Sequence, residues 1–183
     1  MAHRTYDQLA AELDFLRAAP QAIGSLELVV ARPVPAARDV LDEGVLDVDL
    51  GLVGDGWLAR ARPRAVAEGR HYLAQITVMS ARMVGLLDDS IEEQALAGDQ
   101  LYVDLDISHT NLPAGARLAI GPEAVLEVSA KPHTGCAKFT RRFGADAVAF
   151  VNSETGRELR LRGLNARIVT GGTIRPGDKV TKL

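Results

Sequence analysis

The stretch RLAIGPEAVLEVSA, residues 117–130, consists of two short apolar runs on either side of a turn signal. Residues 117–121 and 124–130 have the branched apolar composition of β-strands, and Gly-Pro-Glu between them is typical of a hairpin turn. The stretch therefore predicts a β-hairpin. The segments on either side of it decide whether this hairpin belongs to a β-rich fold.

Most of the chain outside this hairpin repeats the same pattern. Further strand-like segments are separated by Gly and Pro turns and lie at residues 25–32, 46–53, 71–79, 101–107, 147–153, 157–163, 165–172 and 178–183. No regular alternation of strands and helices appears, which argues against a doubly wound fold. The pattern predicts a mainly β fold, a compact β-barrel of short, largely antiparallel strands with a few short peripheral helices.

The N-terminal segment is predicted to be helical. Thr5 is followed three residues later by Gln8, which is a capping-box pattern, and Pro20 is expected to end the helix. We therefore expect a helical appendage at residues 1–23 and one barrel domain at residues 24–183.

Two further helical regions are predicted beside the strands. Residues 80–98 indicate one or two short helices, with Ser80 and Ser90 as caps. Residues 138–151 are expected to hold a short helix. A turn is predicted at Glu-Thr-Gly, residues 154–156.

Composition excludes several classes of protein. With 47% hydrophobic and 25% charged residues the chain resembles an ordinary globular protein, and no apolar run approaches the roughly 20 residues that span a bilayer. One cysteine cannot form an internal disulfide, so a cytoplasmic location is expected. Aromatic residues make up only 4%, and no phosphate-loop or zinc motif is present. We expect neither a nucleic-acid partner nor a membrane partner.

Charge is distributed unevenly along the chain. Residues 131–183 contain 11 Lys/Arg and 4 Asp/Glu, whereas the whole chain has a net charge of −3. Such asymmetry can mark an anion-binding face. The alternative is that the acidic and basic parts of the chain pair with each other across the fold.

The basic part of the chain contains the only cysteine, Cys136, within KPHTGCAKFTRRFG, residues 131–144. Four basic residues lie within seven positions of it: Lys131, Lys138, Arg141 and Arg142. Flanking cations lower a thiol pKa, and the thiolate is the reactive, metal-binding form. The alternative is that Cys136 is a small buried apolar residue. His133 is either a base or anion donor, or a surface histidine, and at most one of the adjacent arginines is expected to point into a site.

Two longer runs, residues 97–144 and 162–180, resemble the MOSC domain, a family named for the C-terminal domain of molybdenum cofactor sulfurases. The similarity rests on the order of a Pro-x-Gly turn, the hairpin, a cysteine followed by Lys and Phe, and GGTIRPGDKV at the end, and it extends over residues 24–183. The resemblance implies a compact β-barrel. It also implies a cysteine, here Cys136, that either carries a persulfide or binds molybdenum in a pterin cofactor.

The resemblance extends to further candidate residues. GLVGDGW, residues 51–57, is similar to a family segment that places Asp55 near the site. Gly-Asp-Gln-Leu stands where family members often have Gly-Glu-Asn-Leu, so Asp99 and Gln100 are candidate cofactor contacts with altered reach. Gly135 stands where proline commonly precedes the family cysteine. The chain is too short to include the pyridoxal-phosphate desulfurase domain of full sulfurases.

Three hypotheses follow. In the first, a stand-alone protein binds a molybdenum–pterin cofactor through Cys136 and reduces N-oxygenated small molecules, with His133 as a further catalytic residue. The candidate contacts to cofactor phosphate or oxyanion are Lys138, Arg141, Arg142 and His133. In the second, Cys136 carries a persulfide in sulfur transfer. A separate cysteine desulfurase or electron-donor protein is the partner expected of these enzymes. In the third, the chain is a non-catalytic β-barrel that binds a small anionic ligand.

Overall fold

A computed structural model describes residues 3–183 of the chain. Over these residues the strands are β1 (Ile23–Ala31), β2 (Asp39–Leu41), β3 (Gly44–Asp47), β4 (Gly51–Leu52), β5 (Ile76–Ser80), β6 (Leu101–Asp104), β7 (Arg117–Ile120), β8 (Ala124–Val128), β9 (Leu164–Thr170), β10 (Gly172–Ile174) and β11 (Lys179–Lys182). The helices are α1 (Tyr6–Ala10), α2 (Leu13–Arg17), α3 (Pro63–Ala67), α4 (Ala81–Leu87), α5 (Ile91–Ala95), α6 (Ala137–Asn152) and α7 (Glu154–Glu158).

Seven of the strands in this part of the chain close into a barrel, in the order β11, β7, β8, β9, β5, β6 and β1. The barrel closes because β1 pairs with β6 along one part of its length and with β11 along another. Its pairings are antiparallel except for β5 with β6, which is parallel. The predicted fold class, a mainly antiparallel β-barrel with short peripheral helices, is confirmed.

Successive side chains of a strand point to opposite faces of the sheet, so the strands contribute to two hydrophobic cores. In β6, Leu101 and Val103 face the inside of the barrel, where they join the barrel core. Tyr102, between them, faces outward and packs with residues of the helices, such as Met83 of α4 and Phe139 of α6, in the outer core. The helices therefore cover one outer side of the barrel.

The N-terminal helices belong to this outer core. Thr5 and Gln8 form the predicted capping box, and the chain forms two short helices before Pro20. Leu9 and Leu16 are buried in the outer core, so this segment packs against the barrel domain. The predicted division between residues 1–23 and 24–183 stays a prediction.

Other local predictions differ in outcome. Ser80 and Ser90 cap α4 and α5 as predicted. The prediction of one strand at residues 46–53 is wrong, because the Asp47 carboxylate accepts hydrogen bonds from the backbone of Asp49 and Leu50 and bends the chain between β3 and β4.

The predicted strand at residues 71–79 begins only at Ile76, after a 3₁₀ turn at His71–Ala74. The strand predictions for residues 147–153 and 157–163 and the turn prediction for residues 154–156 are also wrong. Residues 147–152 complete α6, and the Ser153 hydroxyl accepts from the backbone of Gly156 and so starts α7.

Helix α6 bends at Gly144, which has a φ of 88°. Phe139 and Phe143 before the bend and Phe150 after it all lie in the outer core. Among residues 3–183, no helix is both long and apolar enough to cross a bilayer.

Candidate functional site

Cys136 lies at the end of the loop that connects β8 to α6, directly before the first helical residue. The residue is exposed. Partial burial of the sulfur would raise the pKa of the thiol. The backbone N–H groups of Phe139 and Lys138, aided by the charges of Arg162 and Lys138, outweigh this effect and lower the pKa below its ordinary value. Cys136 therefore has an enhanced thiolate fraction at neutral pH.

The loop before Cys136 is held at several points. The Asn165 side chain donates to the backbone oxygens of Lys131 and Pro132, at 3.1 and 3.0 Å. The backbone N–H of Gly135 donates to Asn152 Oδ1 at 3.0 Å. A proline at position 135 would remove this donor, so glycine fits the hydrogen bond that fixes the loop here.

Cys136 borders a cavity of about 220 Å³ that we call the cation pocket. Six cationic side chains line it: Arg32, Arg38, Arg60, Lys138, Arg142 and Arg162. Burial, together with the charges of Arg142 and Arg32, lowers the pKa of Arg38. The pocket therefore concentrates positive charge, and an anion would relieve the repulsion among these side chains.

Two donors in the cation pocket have no acceptor. The Nε atoms of Arg38 and Arg162 are buried and lack a hydrogen-bond partner within the described residues 3–183. A buried polar group without a partner costs about 1–3 kcal/mol, so these atoms favour a ligand that accepts hydrogen bonds.

Asp55 lies behind the pocket and orients two of its arginines. Its buried carboxylate accepts from the Arg32 side chain at 2.8 Å and from Arg60 Nη2 at 3.0 Å. It also accepts from the Arg32 backbone at 2.8 Å, and Arg32 Nη1 donates to the Gly98 carbonyl at 2.8 Å. Asp55 therefore positions cations and does not line the cavity.

Asp99 is buried between Arg162 and His133. One carboxylate oxygen accepts from Arg162 Nη1, and the other lies 2.6 Å from His133 Nε2. Burial alone would raise the pKa of Asp99, but the charges of Arg162 and His133 hold it well below its usual range. Arg162 also donates to the Ala97 carbonyl at 3.0 Å and lies over the Phe139 ring.

Gln100 is fully buried, and its side chain is hydrogen-bonded to other protein groups. Its side-chain oxygen accepts from the Thr77 backbone at 2.8 Å and from the Thr77 hydroxyl at 2.7 Å, and its side-chain nitrogen donates to the Gln75 carbonyl at 3.1 Å. Gln100 thus joins the chain before β6 to β5 and is not on the cavity wall.

The fold brings only some of the sequence-predicted site residues to one surface. Lys138 and Arg142 line the cation pocket with Cys136, whereas the exposed Arg141 does not. His133 lines a neighbouring cleft on the far side of Arg162. Asp55, Asp99 and Gln100 line neither cavity. Their side chains are buried and hold neighbouring residues in place through hydrogen bonds.

Four arginines of the pocket were missed by the sequence analysis: Arg32, Arg38, Arg60 and Arg162. Arg32 directly follows β1, and Arg162 lies two residues before β9. Position at a strand end was the only sequence signal for these two. Arg38 and Arg60 lie in segments without a motif, and only the closed fold brings them together.

The pocket offers one soft metal donor. Within residues 3–183, no three His, Cys, Asp or Glu side chains cluster as a metal-binding group. A metal at this site would therefore have Cys136 as its protein ligand and take its other donors from a cofactor.

The family model of the MOSC domain matches residues 73–181. The fold is similar to YuaD from Bacillus subtilis, at 16% identity and a TM-score of 0.62, over 86% of this chain and 94% of that one.

It is also similar to YiiM from Escherichia coli, at 19% identity and a TM-score of 0.54, over 87% of this chain and 69% of that one. The fold is similar as well to YiiM from Geobacillus stearothermophilus, at 11% identity and a TM-score of 0.52, over 90% of this chain and 74% of that one. Comparison with curated proteins gives no significant match. The barrel shared with these structures and the family match over most of the chain show that the protein belongs to the MOSC domain family.

Proposed function

We propose that the protein binds a molybdenum–pterin cofactor with Cys136 as the ligand to molybdenum, and that it reduces N-oxygenated small molecules. The observation that carries this proposal is the combination, in one pocket, of an exposed thiol of lowered pKa with six cationic side chains. MOSC domains are associated with this cofactor.

The donor set fits such a cofactor in two respects. A thiolate is a soft ligand, suited to molybdenum and not to magnesium or calcium. The cofactor also carries phosphate, and the partnerless Nε donors of Arg38 and Arg162 supply directed hydrogen bonds to an anion. Lys138 and Arg142 add charge at the same wall.

The protein groups then have distinct tasks. Arg38, Arg142 and Lys138 hold the anionic part of the cofactor, and Cys136 fixes its metal. Asp99 holds Arg162 in place, and the contact between Asp99 and His133 fixes the loop that carries the thiol. When bound, such a cofactor would supply the two electrons that, together with two protons, reduce the N–O bond and release water, and a separate electron-donor protein would replace those electrons.

Metal content tests the proposal. Protein purified from a host that makes the cofactor should contain molybdenum, and its oxidised extract should show pterin fluorescence. Cys136→Ala should lose the molybdenum, and Arg38→Gln should lose both signals, because it removes a phosphate donor.

Arg141→Gln is the matched control, because Arg141 is exposed and does not line the pocket. Its molybdenum content should equal that of the wild type. Equal metal in the wild type and in Cys136→Ala would remove Cys136 as the ligand.

A second candidate function is sulfur transfer, which the exposure and lowered pKa of Cys136 favour. In this reaction the Cys136 thiolate attacks the outer sulfur of a donor persulfide. The new S–S bond leaves a persulfide on Cys136, and the donor cysteine departs as a thiolate. Incubation with a cysteine desulfurase and cysteine should add the mass of one sulfur atom, and Cys136→Ala should show no adduct.

A further inference from the structure

A second cleft, of about 670 Å³, adjoins the cation pocket and shares Arg32 and Arg60 with it. Trp57 and His71 stack on its wall, with ring centroids 5.5 Å apart and an interplanar angle of 16°. We call it the aromatic cleft. Because the two arginines line both spaces, a ligand in the aromatic cleft lies next to the pocket that Cys136 borders.

The aromatic cleft is positively charged. Within the described part of the chain, Arg62 and Lys131 line it without a carboxylate partner. Arg70, also on the wall, pairs with Glu68 outside it. Arg32 and Arg60 share the single carboxylate of Asp55. An anionic group is therefore the ligand that this wall favours.

The cleft also offers an apolar surface and one unused polar atom. Ala65, Leu73 and Ala74 line it beside the two rings, and Leu73 is 40% exposed. His71 Nδ1 is buried and has no hydrogen-bond partner among residues 3–183. A flat ring that covers this surface would remove apolar area from water, and a polar atom on it would pair with His71.

We propose that the aromatic cleft binds the substrate, and that this substrate joins a flat ring to an anionic group. The ring lies on the His71 side of the stack, because Trp57 is buried behind it, and Arg62 and Lys131 hold the anion. The substrate role rests on the proposed function at Cys136, whereas ligand binding in the cleft does not depend on it. A neutral ring would contact only the aromatic and apolar residues of the cleft, and an anion without a ring would contact only its cations.

Trp57 is the only tryptophan in the chain and lies on the wall of the cleft, so its fluorescence reports on ligand binding there. Titration with phenyl phosphate should change this emission saturably. Benzyl alcohol, which has the ring, and inorganic phosphate, which has the charge, should each bind at least about tenfold more weakly. N-acetyltryptophanamide corrects for absorption by the probes. Equal affinity for phenyl phosphate and inorganic phosphate would overturn the proposal.

The double variant Arg62→Gln/Lys131→Gln should bind phenyl phosphate at least about tenfold more weakly than the wild type, because it removes both unpaired cations. Arg64→Gln is the matched control. Arg64 lies in the same helix as Ala65, is largely exposed and does not line the cleft, so its affinity should stay that of the wild type. Unchanged affinity in the double variant would also overturn the proposal.

Two measurements separate this proposal from the cofactor proposal. Phenyl phosphate should bind equally well to Cys136→Ala, because the thiol is not part of the aromatic cleft. The molybdenum content of Arg62→Gln/Lys131→Gln should match the wild type. Loss of molybdenum from this variant would assign the cleft to the cofactor and overturn its assignment to the substrate.

Discussion

His133 Nε2 lies 2.6 Å from Asp99 Oδ1, and this contact ties the loop that carries Cys136 to the segment that leads into β6. Arg162, just before β9, occupies the other carboxylate oxygen. One buried carboxylate therefore joins three separate parts of the chain. The position of the thiol relative to the cation pocket therefore depends on a buried group that does not line that pocket.

Replacement of Asp99 by asparagine should lower the free energy of unfolding by about 3–5 kcal/mol, because it leaves the buried Arg162 charge without a partner. Urea unfolding followed by circular dichroism measures this loss. Glu43→Gln is the control, since Glu43 pairs with Arg175 at the surface and should change stability little. A neutral effect of Asp99→Asn would show that the Asp99 pairing adds nothing to stability.

The stability that Asp99 supplies should fall as the pH is lowered through the acid range. Its pKa is lower in the folded protein than in the unfolded chain, so the folded state favours the charged form. This contribution is fully present above the unfolded pKa of about 3.9 and is lost as the pH falls toward the folded value. The stability difference between the wild type and Asp99→Asn should shrink below about pH 4. A difference that stays constant throughout the acid range would contradict the lowered pKa.

Cys136 should react with iodoacetamide with a pH midpoint below the roughly 8.5 of an ordinary thiol. Its rate at neutral pH should therefore exceed that of the same cysteine in the urea-unfolded chain, which serves as the internal reference. Lys138→Gln should raise the midpoint by removing a nearby charge, and Arg141→Gln should leave it unchanged. Equal midpoints in the folded and unfolded protein would contradict the assigned environment.

Phosphate should stabilise the protein against heat more than chloride does at equal ionic strength, because it relieves repulsion in the cation pocket and binds only the folded state. Saturation at about 100 times Kd corresponds to about 2.7 kcal/mol, and each kcal/mol raises Tm by about 2–4 °C in a domain of this size. Arg38→Gln should reduce the difference between the salts, and Arg141→Gln should retain it in full. Identical melting curves in phosphate and chloride would exclude an anion site.

The sequence predicts the fold well where the signals are local. The hairpin at residues 117–130 and the caps at Thr5, Ser80 and Ser90 depend on neighbouring residues and appear as predicted. The apolar run at residues 147–151 was ambiguous, because a short apolar run does not separate a buried strand from a buried helix. Contact with the outer core made it helical.

The candidate site was predictable only near the cysteine. Lys138 and Arg142 follow Cys136 within two turns of α6, so one stretch of sequence contains all three. Arg32, Arg38 and Arg60 come from residues 1–130, which contain more Asp and Glu than Lys and Arg. The net charge of that part of the chain therefore gives no indication of a cationic surface. Barrel closure brings them to the thiol, and this proximity is a long-range property of the fold.

The pairing of β1 with β11 has a consequence for synthesis on the ribosome. β1 is the first barrel strand to be made, yet its partner β11 ends at Lys182. Until β11 has paired, β1 and β7 have unpaired edges that can bind other chains. A chain in which β11 is made but not yet paired therefore exposes two barrel edges, and aggregation during folding should begin at these edges.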